Sequence, residues 1–168
     1  VLEQLRREIE AEPATDPTPI DTVLQRHADT SSLSFDIATA GADGAAAPPT
    51  QPAGATAAEW QALRTYLGAA STVQDDVSEN GNHHYTLLDL DEDGQRDLLD
   101  TAYVGGTGLY TEIAVLRRDT AHGFLAPPAP ASEAQPATAV FSINGRGGDQ
   151  ALYWLRIDGR SYAAYRDG

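Results

Sequence analysis

Residues 85–106 read YTLLDLDEDGQRDLLDTAYVGG, and this stretch decides how the rest of the chain is interpreted. Counted from Asp89, carboxylates stand at positions 1, 3, 5, 9 and 12, and Gly94 stands at position 6. That spacing is typical of a calcium-binding loop, in which alternate side chains turn toward one ion and a glycine permits the sharp bend. It predicts carboxylate ligands and one main-chain carbonyl ligand: Asp89, Asp91, Asp93 and Asp97, with the carbonyl of Gln95.

The flanks of the loop indicate strands rather than helices. An EF-hand needs a helix on each side, but Asn80-Gly81, upstream of the loop, is a turn signal that a helix does not carry. Residues 85–88 and 98–104 are rich in β-branched, aromatic and aliphatic side chains, which favours strand, loop, strand. Asp100 fills the twelfth position but falls along the exit strand, so the spacing leaves open whether it also binds the ion.

Turn dipeptides recur from residue 80 onward and predict a β meander. They include Gly105-Gly106, Asn144-Gly145 and Asp158-Gly159, and residues 111–116 and 138–143 are core-strand candidates between such turns. Residues 151–157 and 160–165 form the clearest hairpin, because a type I′ turn favours the Asp-Gly between them. We therefore expect an antiparallel meander, arranged as a sandwich or a small propeller-like sheet.

The N-terminal part has a different pattern. Apolar residues recur at helical spacing in residues 1–9 and again in 20–27, which predicts two short helices, and residues 31–37 alternate like a strand. Residues 41–58 are rich in Ala, Pro, Gly and Thr and are expected to form a flexible loop, whereas Thr56 to Glu59 has the spacing of a capping box that opens a third helix.

These patterns together predict an α+β protein that is mainly β. A helical N-terminal region, 1–70, would precede a calcium-binding antiparallel β domain, 71–168, within one compact unit.

Composition limits the classes of partner. The 168 residues carry 25 acidic and 11 basic side chains, a formal net charge of −14. This charge disfavours nucleic acid and anionic membrane surfaces and favours a cationic partner. The absence of cysteine excludes disulfides and thiol chemistry.

The loop also suggests a compartment. Calcium loops without EF-hand helices are more often structural sites filled outside the cytoplasm, so we expect a periplasmic or otherwise exported protein. The sequence starts at Val1 without an apolar signal segment, as expected if a signal peptide has been removed or the chain trimmed. It contains no apolar run that could span a bilayer, and a lipid anchor upstream would be compatible with it.

Residues 85–124 resemble a known group of proteins. The loop between strands, the segment YVGGTGLY at 103–110 and the strand EIAVLRR at 112–118 are similar to exported bacterial β proteins with a single calcium loop, among them lysozyme-inhibitor-like immunity proteins. The resemblance implies a periplasmic inhibitor that protects a bacterium from a peptidoglycan-cleaving toxin by inserting a loop into the active-site cleft of the toxin. The loop also resembles those of integrin-like β-propellers, but a propeller array should show several such loops and this chain has one.

A cationic peptidoglycan hydrolase is therefore the expected partner. The glycine-rich segment could present aromatic and hydroxyl groups to a cleft, and its predicted contact residues are Tyr103, Gly105, Gly106, Thr107, Gly108 and Tyr110. The alternative is a tight connection whose tyrosines pack on the sheet.

Other candidate chemistry lacks a supporting sequence pattern. His83-His84 is expected to be a surface turn, Tyr153 and Trp154 to be core, and neither a phosphate loop nor a nucleophile motif is present, so we expect no enzymatic activity. The alternative to an inhibitor is a calcium-stabilised structural or adhesive module. A glycan-binding domain would need an exposed aromatic platform.

Overall fold

The computed structural model describes residues 1–38, 49–70, 82–125, 141–146 and 149–167. Within these residues strand predominates over helix and the strands are antiparallel, so the predicted α+β, mainly β class is confirmed. The elements in chain order are α1 Leu2–Glu10, α2 Pro19–Arg26, β1 Leu33–Ala38, α3 Ala57–Ala70, β2 Asn82–Leu88, β3 Asp97–Gly105, β4 Tyr110–Asp119, β5 Gly123–Leu125, β6 Phe141–Asn144, β7 Gln150–Ile157 and β8 Arg160–Asp167.

The strands form two sheets. One has the order β1-β2-β3-β4-β5, with β6 pairing β4 as well, and the other consists of β7 and β8. Strand β4 carries both β5 and β6 because each pairs with a different part of it, Arg117 to Asp119 and Tyr110 to Ile113. The acidic loop joins β2 to β3 and the glycine-rich turn joins β3 to β4, so the two features lie at opposite ends of β3.

Two apolar clusters form the core. The first lies between α3 and one face of the larger sheet, here called the inner face, and its buried members are Ile37, Ala62, Leu63, Tyr85, Leu87, Leu98, Leu116 and Phe124. The second lies between the two N-terminal helices and the β7–β8 hairpin, and its members are Leu5, Val23, Leu24, Leu155 and Ile157. Both clusters combine residues from before and after position 70, so packing crosses the predicted division between regions.

The opposite, outer face of the larger sheet meets the hairpin at one end. Phe141 of β6 lies edge-to-face against Trp154 of β7, with ring centroids 6.0 Å apart, and stacks on Tyr165 of β8. Tyr153 packs on the second cluster and donates a hydrogen bond to Asp21, whereas Trp154 is half-buried beside a groove between the sheet and the hairpin.

Several local predictions are confirmed. Asp158 and Gly159 both have positive φ, 51° and 79°, as a type I′ turn requires. Thr56 and Glu59 form the capping box, since the Thr56 amide donates to Glu59 Oε2 at 2.7 Å and the Glu59 amide donates to Thr56 Oγ1 at 3.2 Å.

Other predictions are corrected or lie outside the described residues. The expected loop 41–58 is described from residue 49, and its end is already helical because α3 begins at Ala57. The strand predicted over 138–143 is described from Phe141, and Asn80-Gly81 is not among the described residues. None of the helices in the described parts of the chain combines the length and apolar character needed to cross a membrane.

Candidate metal centre

Three aspartates of the acidic loop come together. Asp89 follows β2, Asp97 opens β3, Asp91 lies between them, and each offers a carboxylate oxygen within 4.8 Å of the others. Carboxylates at this separation repel one another unless a cation or hydrogen-bond donors compensate them. The group could therefore hold a metal ion, and its all-oxygen donor set suits a hard cation.

Asp97 is the buried member of the group. It is 2% exposed, and its two oxygens accept hydrogen bonds from the amides of Leu90 at 3.0 Å and Arg118 at 2.6 Å. Burial raises the pKa of Asp97 and the charges of Asp93 and Asp89 raise it further, although the two backbone donors oppose them. A cation beside this carboxylate would offset the cost of keeping its charge away from water.

Asp89 has an unsatisfied oxygen. Its Oδ2 accepts a hydrogen bond from the Gly94 amide at 3.1 Å, but its Oδ1 is buried and accepts none from the described residues. Buried carboxylate oxygens normally have a partner. The orphaned Oδ1 is thus an independent indication, besides the spacing, that the loop accommodates a cation.

The bend of the loop follows from its backbone. Gly94 has a φ of 84°, so the predicted role of this glycine is confirmed, and Glu92 also has a positive φ, of 64°. Asp91, the exposed member of the three-carboxylate group, forms an ion pair with Arg117 of β4. This guanidinium is a protein cation placed against one of the three grouped carboxylates.

Asp93 and Gln95 stabilise the turn. The oxygens of Asp93 accept hydrogen bonds from the amide of Gln95 at 2.8 Å and from its side-chain Nε2 at 3.1 Å. Asp93, although predicted as a ligand, is not a member of the three-carboxylate group. Gln95 lies beside it with a half-buried side chain.

Asp100 lies apart from the group. Residues three apart on a strand face opposite sides of the sheet, so Asp97 and Asp100 are separated by the thickness of β3. On the inner face Asp100 accepts a hydrogen bond from the Tyr66 hydroxyl at 2.7 Å and lies 2.6 Å from His83 Nδ1. The twelfth position of the loop is thus corrected from a potential ligand to a buried structural carboxylate.

Two neighbouring elements fix the loop. Arg96 donates from Nε and Nη2 to the two carboxylate oxygens of Glu59 in the first turn of α3, and from Nη2 to the Gly54 carbonyl. On the other side, Ser161 of β8 donates from its hydroxyl to the Asp89 carbonyl at 3.0 Å and from its amide to Glu92 at 3.2 Å. The loop is therefore bonded both to the helix over the first cluster and to the hairpin of the second.

The glycine-rich segment forms the β3–β4 turn. Residues 106–109 make the turn, and Leu109 and Tyr110 at its end are each 41% exposed. The ring of Tyr110 lies over Gly108, where a Cβ would come within 2.3 Å of it. Of the predicted contact residues, Thr107, Gly108 and Tyr110 lie at this tip with Gly105 and Gly106, whereas Tyr103 lies on the outer face of β3.

The second turn that precedes the hairpin lies beside the first. The Gly145 amide donates to the Leu109 carbonyl at 3.3 Å, and Arg146 Nη1 donates to the Thr107 carbonyl at 3.2 Å. Turns distant in sequence thus form one continuous end of the sheet.

His83 and His84 are not the expected surface turn. Both lie in β2, with His83 toward the inner face beside Asp100 and His84 on the outer face, 2.8 Å from Asp36 Oδ1. Burial, together with the Asp100 charge and hydrogen bond, raises the pKa of Tyr66 in the same inner-face network.

Sequence patterns could not locate Arg96, Arg117 or Ser161 as partners of the loop. Arg117 and Ser161 lie far from the loop in sequence, and Arg96, within the loop, pairs with the distant Glu59. Of these contacts, the sequence indicated only a role for Glu59, through the capping box. Searches for related proteins found no matching family model, no matching curated protein and no matching solved structure.

Proposed function

We propose that the aspartate group binds one calcium ion. Asp89, Asp91 and Asp97 supply the carboxylates that the fold brings together. The carbonyl of Gln95 would add the main-chain ligand that the loop spacing predicts, whereas Asp93, predicted from the same spacing, lies outside this group. The observation that carries this proposal is the buried, orphaned Oδ1 of Asp89. A hard divalent cation with many oxygen ligands and tolerant geometry satisfies it best.

The ion would stabilise the junction of the two cores. The loop is bonded to α3 through Arg96 and to β8 through Ser161, so ordering the loop also orders both contacts. A ligand that binds only the folded state adds RT ln(1 + [L]/Kd) to the free energy of unfolding. Calcium is thus a structural cofactor, in keeping with an exported protein.

On this scaffold we infer a non-catalytic binding function. The protein would be a periplasmic immunity protein that inhibits a cationic, peptidoglycan-cleaving hydrolase by occluding its cleft. Support comes from the charge of −14 and from the exposed Leu109 and Tyr110, which lie where the β3–β4 turn ends. An exposed tyrosine on a fixed turn gives a large contact area at low entropic cost.

The inhibitor proposal is tested with calcium-loaded protein against purified cationic peptidoglycan hydrolases, including any encoded beside its gene. We expect inhibition that Tyr110→Ala weakens by at least about tenfold, which corresponds to about 1.4 kcal/mol. Leu125→Ala is the matched control, because Leu125 is 43% exposed on β5, away from the turn. Equal inhibition by both variants would place the contact elsewhere.

A second candidate is a calcium-stabilised structural or adhesive module. It is favoured by the bonds from the loop to α3 and β8, because an ion that orders these bonds would stabilise the fold without any protein partner. Calcium-dependent stability without inhibition of any hydrolase tested would support this candidate over the inhibitor.

A further inference from the structure

The outer face of the larger sheet carries a depression at the end of β3 that is remote from the acidic loop. Its volume is about 480 Å3, within the range of small-molecule sites. Its lining comes from four adjacent strands and includes five residues of the outer face, Asp36, His84, Thr101, Tyr103 and Thr111. Ile37 and His83, whose strand positions belong to the inner face, complete the lining.

The strand register explains why these residues share one face. Asp36 pairs with His84, His84 pairs with Thr101, and Tyr103 pairs with Thr111 across the next strand boundary. Directly paired residues in antiparallel strands project from the same side of a sheet. Thr101 and Tyr103 are two apart on β3 and therefore lie on that side together.

The lining combines one aromatic ring with several hydrogen-bonding groups. Thr101, Thr111 and Tyr103 contribute hydroxyls, and the Asp36 carboxylate lies 2.8 Å from His84 Nδ1. Tyr103 is half-buried and lines the depression, so part of its surface is available to a ligand. Such a surface offers an apolar plate surrounded by donors and acceptors.

A β-bulge positions the tyrosine. The pairing of β3 with β4 shifts register between Tyr103 and Gly105, where Val104 is the extra residue and Gly105 takes a φ of 69°. Bulges bend a strand locally and re-aim the side chains beside them. The ring of Tyr103 therefore belongs to the outer-face depression, whereas Tyr110 belongs to the turn beyond it.

The charges of the lining narrow the ligand class. No lysine or arginine is among the described residues of the lining, so no permanent positive charge there would neutralise a phosphate or carboxylate. The acidic group, Asp36, already has His84 as a partner, which reduces its attraction for a free cation. An uncharged ligand with many hydroxyls matches this lining better than either ion.

We propose that the depression binds a neutral saccharide. The ring of Tyr103 would lie against the apolar face of a pyranose, and Asp36, His84 and the two threonines would exchange hydrogen bonds with its hydroxyls. The depression shares no residue with the aspartate group, and its ligand needs no hydrolase. The depression includes Tyr103, one of the predicted hydrolase contacts, but the proposed inhibition rests on Leu109 and Tyr110, so the inference stands apart from that inhibition.

The test is calorimetric titration of the calcium-loaded full chain with three neutral probes: the tetramers of N-acetylglucosamine, β-1,4-glucose and α-1,4-glucose. We expect at least one to bind. Tyr103→Ala should weaken that binding by at least about tenfold and Asp36→Ala by about three- to tenfold. Tyr103→Phe should retain most of the affinity, because it keeps the ring.

Tyr110→Ala is the matched control, since it removes an exposed tyrosine from the neighbouring turn. It should bind the saccharide within about twofold of the unmodified chain, because its ring lies outside the depression. Circular dichroism and melting temperature would verify that each variant is folded. If Tyr103→Ala does not fold, Asp36→Ala and Tyr103→Phe still test the site, since the first should weaken binding and the second should retain it.

Three results would overturn the proposal. They are the absence of binding by all three tetramers at millimolar concentration, equal loss of affinity in Tyr103→Ala and Tyr110→Ala, and binding of spermidine instead of the saccharides. The last result would identify the depression as a cation site. Because no hydrolase is present in the titration, its outcome is independent of whether the protein inhibits one.

Discussion

Arg96 and Glu59 form a two-point ion pair across 37 positions of the chain. Nε of Arg96 lies 2.7 Å from Oε1 and Nη2 lies 2.8 Å from Oε2 of Glu59, and the glutamate also caps the first turn of α3. One carboxylate thus completes the helix N-terminus and fixes the acidic loop. The position of the three loop aspartates therefore depends on packing by a helix that lies far away in sequence.

This ion pair predicts a loss of stability in acid. Burial alone would raise the pKa of Glu59, but the hydrogen bonds from Arg96 and Thr56 outweigh it and hold the pKa below its usual value of 4.5. A carboxylate with a depressed folded-state pKa stabilises the protein above its unfolded pKa, and this stabilisation is lost as the pH falls through the folded value.

Glu59→Gln should therefore lower the free energy of unfolding by about 2 kcal/mol at neutral pH and reduce its decline on acidification. Urea unfolding between about pH 6 and about pH 3 measures both effects. Glu3→Gln is the control, since Glu3 pairs with Arg6 in an exposed position and should change little. Parallel pH profiles for Glu59→Gln and the unmodified chain would contradict the assignment.

Substitutions of Asp97 and Asp100, which lie on opposite faces of β3, should affect calcium affinity differently. Asp97→Asn should weaken calcium binding by at least about tenfold, because Asp97 belongs to the three-carboxylate group. Asp100→Asn should leave calcium affinity within about twofold but destabilise the fold by about 1–3 kcal/mol, through its bonds to Tyr66 and His83. Calcium titration measures the first effect and denaturant unfolding the second. A loss of calcium affinity in Asp100→Asn would show that Asp100, at position 12 of the loop, does bind the ion.

Arg117 should compete with the metal ion for Asp91. Arg117→Ala is expected to tighten calcium binding about threefold to fivefold at low salt. An exposed positive charge in contact with a ligand carboxylate opposes cation binding by about 1 kcal/mol. The gain should shrink as salt is added. Arg146→Ala, at the other end of the sheet, serves as the control, and weaker calcium binding by Arg117→Ala would show that the arginine supports the site instead.

Gly108→Ala should displace the ring of Tyr110. A Cβ at position 108 would come within 2.3 Å of that ring, which must swing away, whereas the backbone of Gly108 imposes no positive φ. We expect a change in unfolding free energy below about 1 kcal/mol together with altered NMR shifts of the Tyr110 ring. Unaltered ring shifts would contradict the close contact.

The sequence predicted features that depend on local spacing. The Asp-Gly hairpin, the capping box and the bend at Gly94 each follow from a few neighbouring residues whose backbone preferences act directly. The same spacing located Asp89, Asp91 and Asp97, because alternate residues of a tight loop turn to one side.

Long-range contacts could not be predicted in this way. Arg117 meets Asp91 only because β4 pairs with β3, and Ser161 meets Asp89 only because the hairpin lies beside the sheet. The spacing alone leaves open whether Asp100 binds the ion, because position 12 of the loop falls within a strand. Side-chain alternation along that strand places Asp100 on the inner face. The three-residue strand β5 is too short to show a pattern.

The most direct test of calcium binding is thermal unfolding of the unmodified chain with calcium and after chelation. At calcium about 100-fold above Kd, we expect about 2.7 kcal/mol of added stability and a melting temperature about 5–10 °C higher. Magnesium should give a smaller rise, because it demands near-ideal octahedral geometry. Asp89→Ala should lose the response to calcium, whereas an unmodified chain that melts at the same temperature with calcium and with chelator would show that the three aspartates hold no ion.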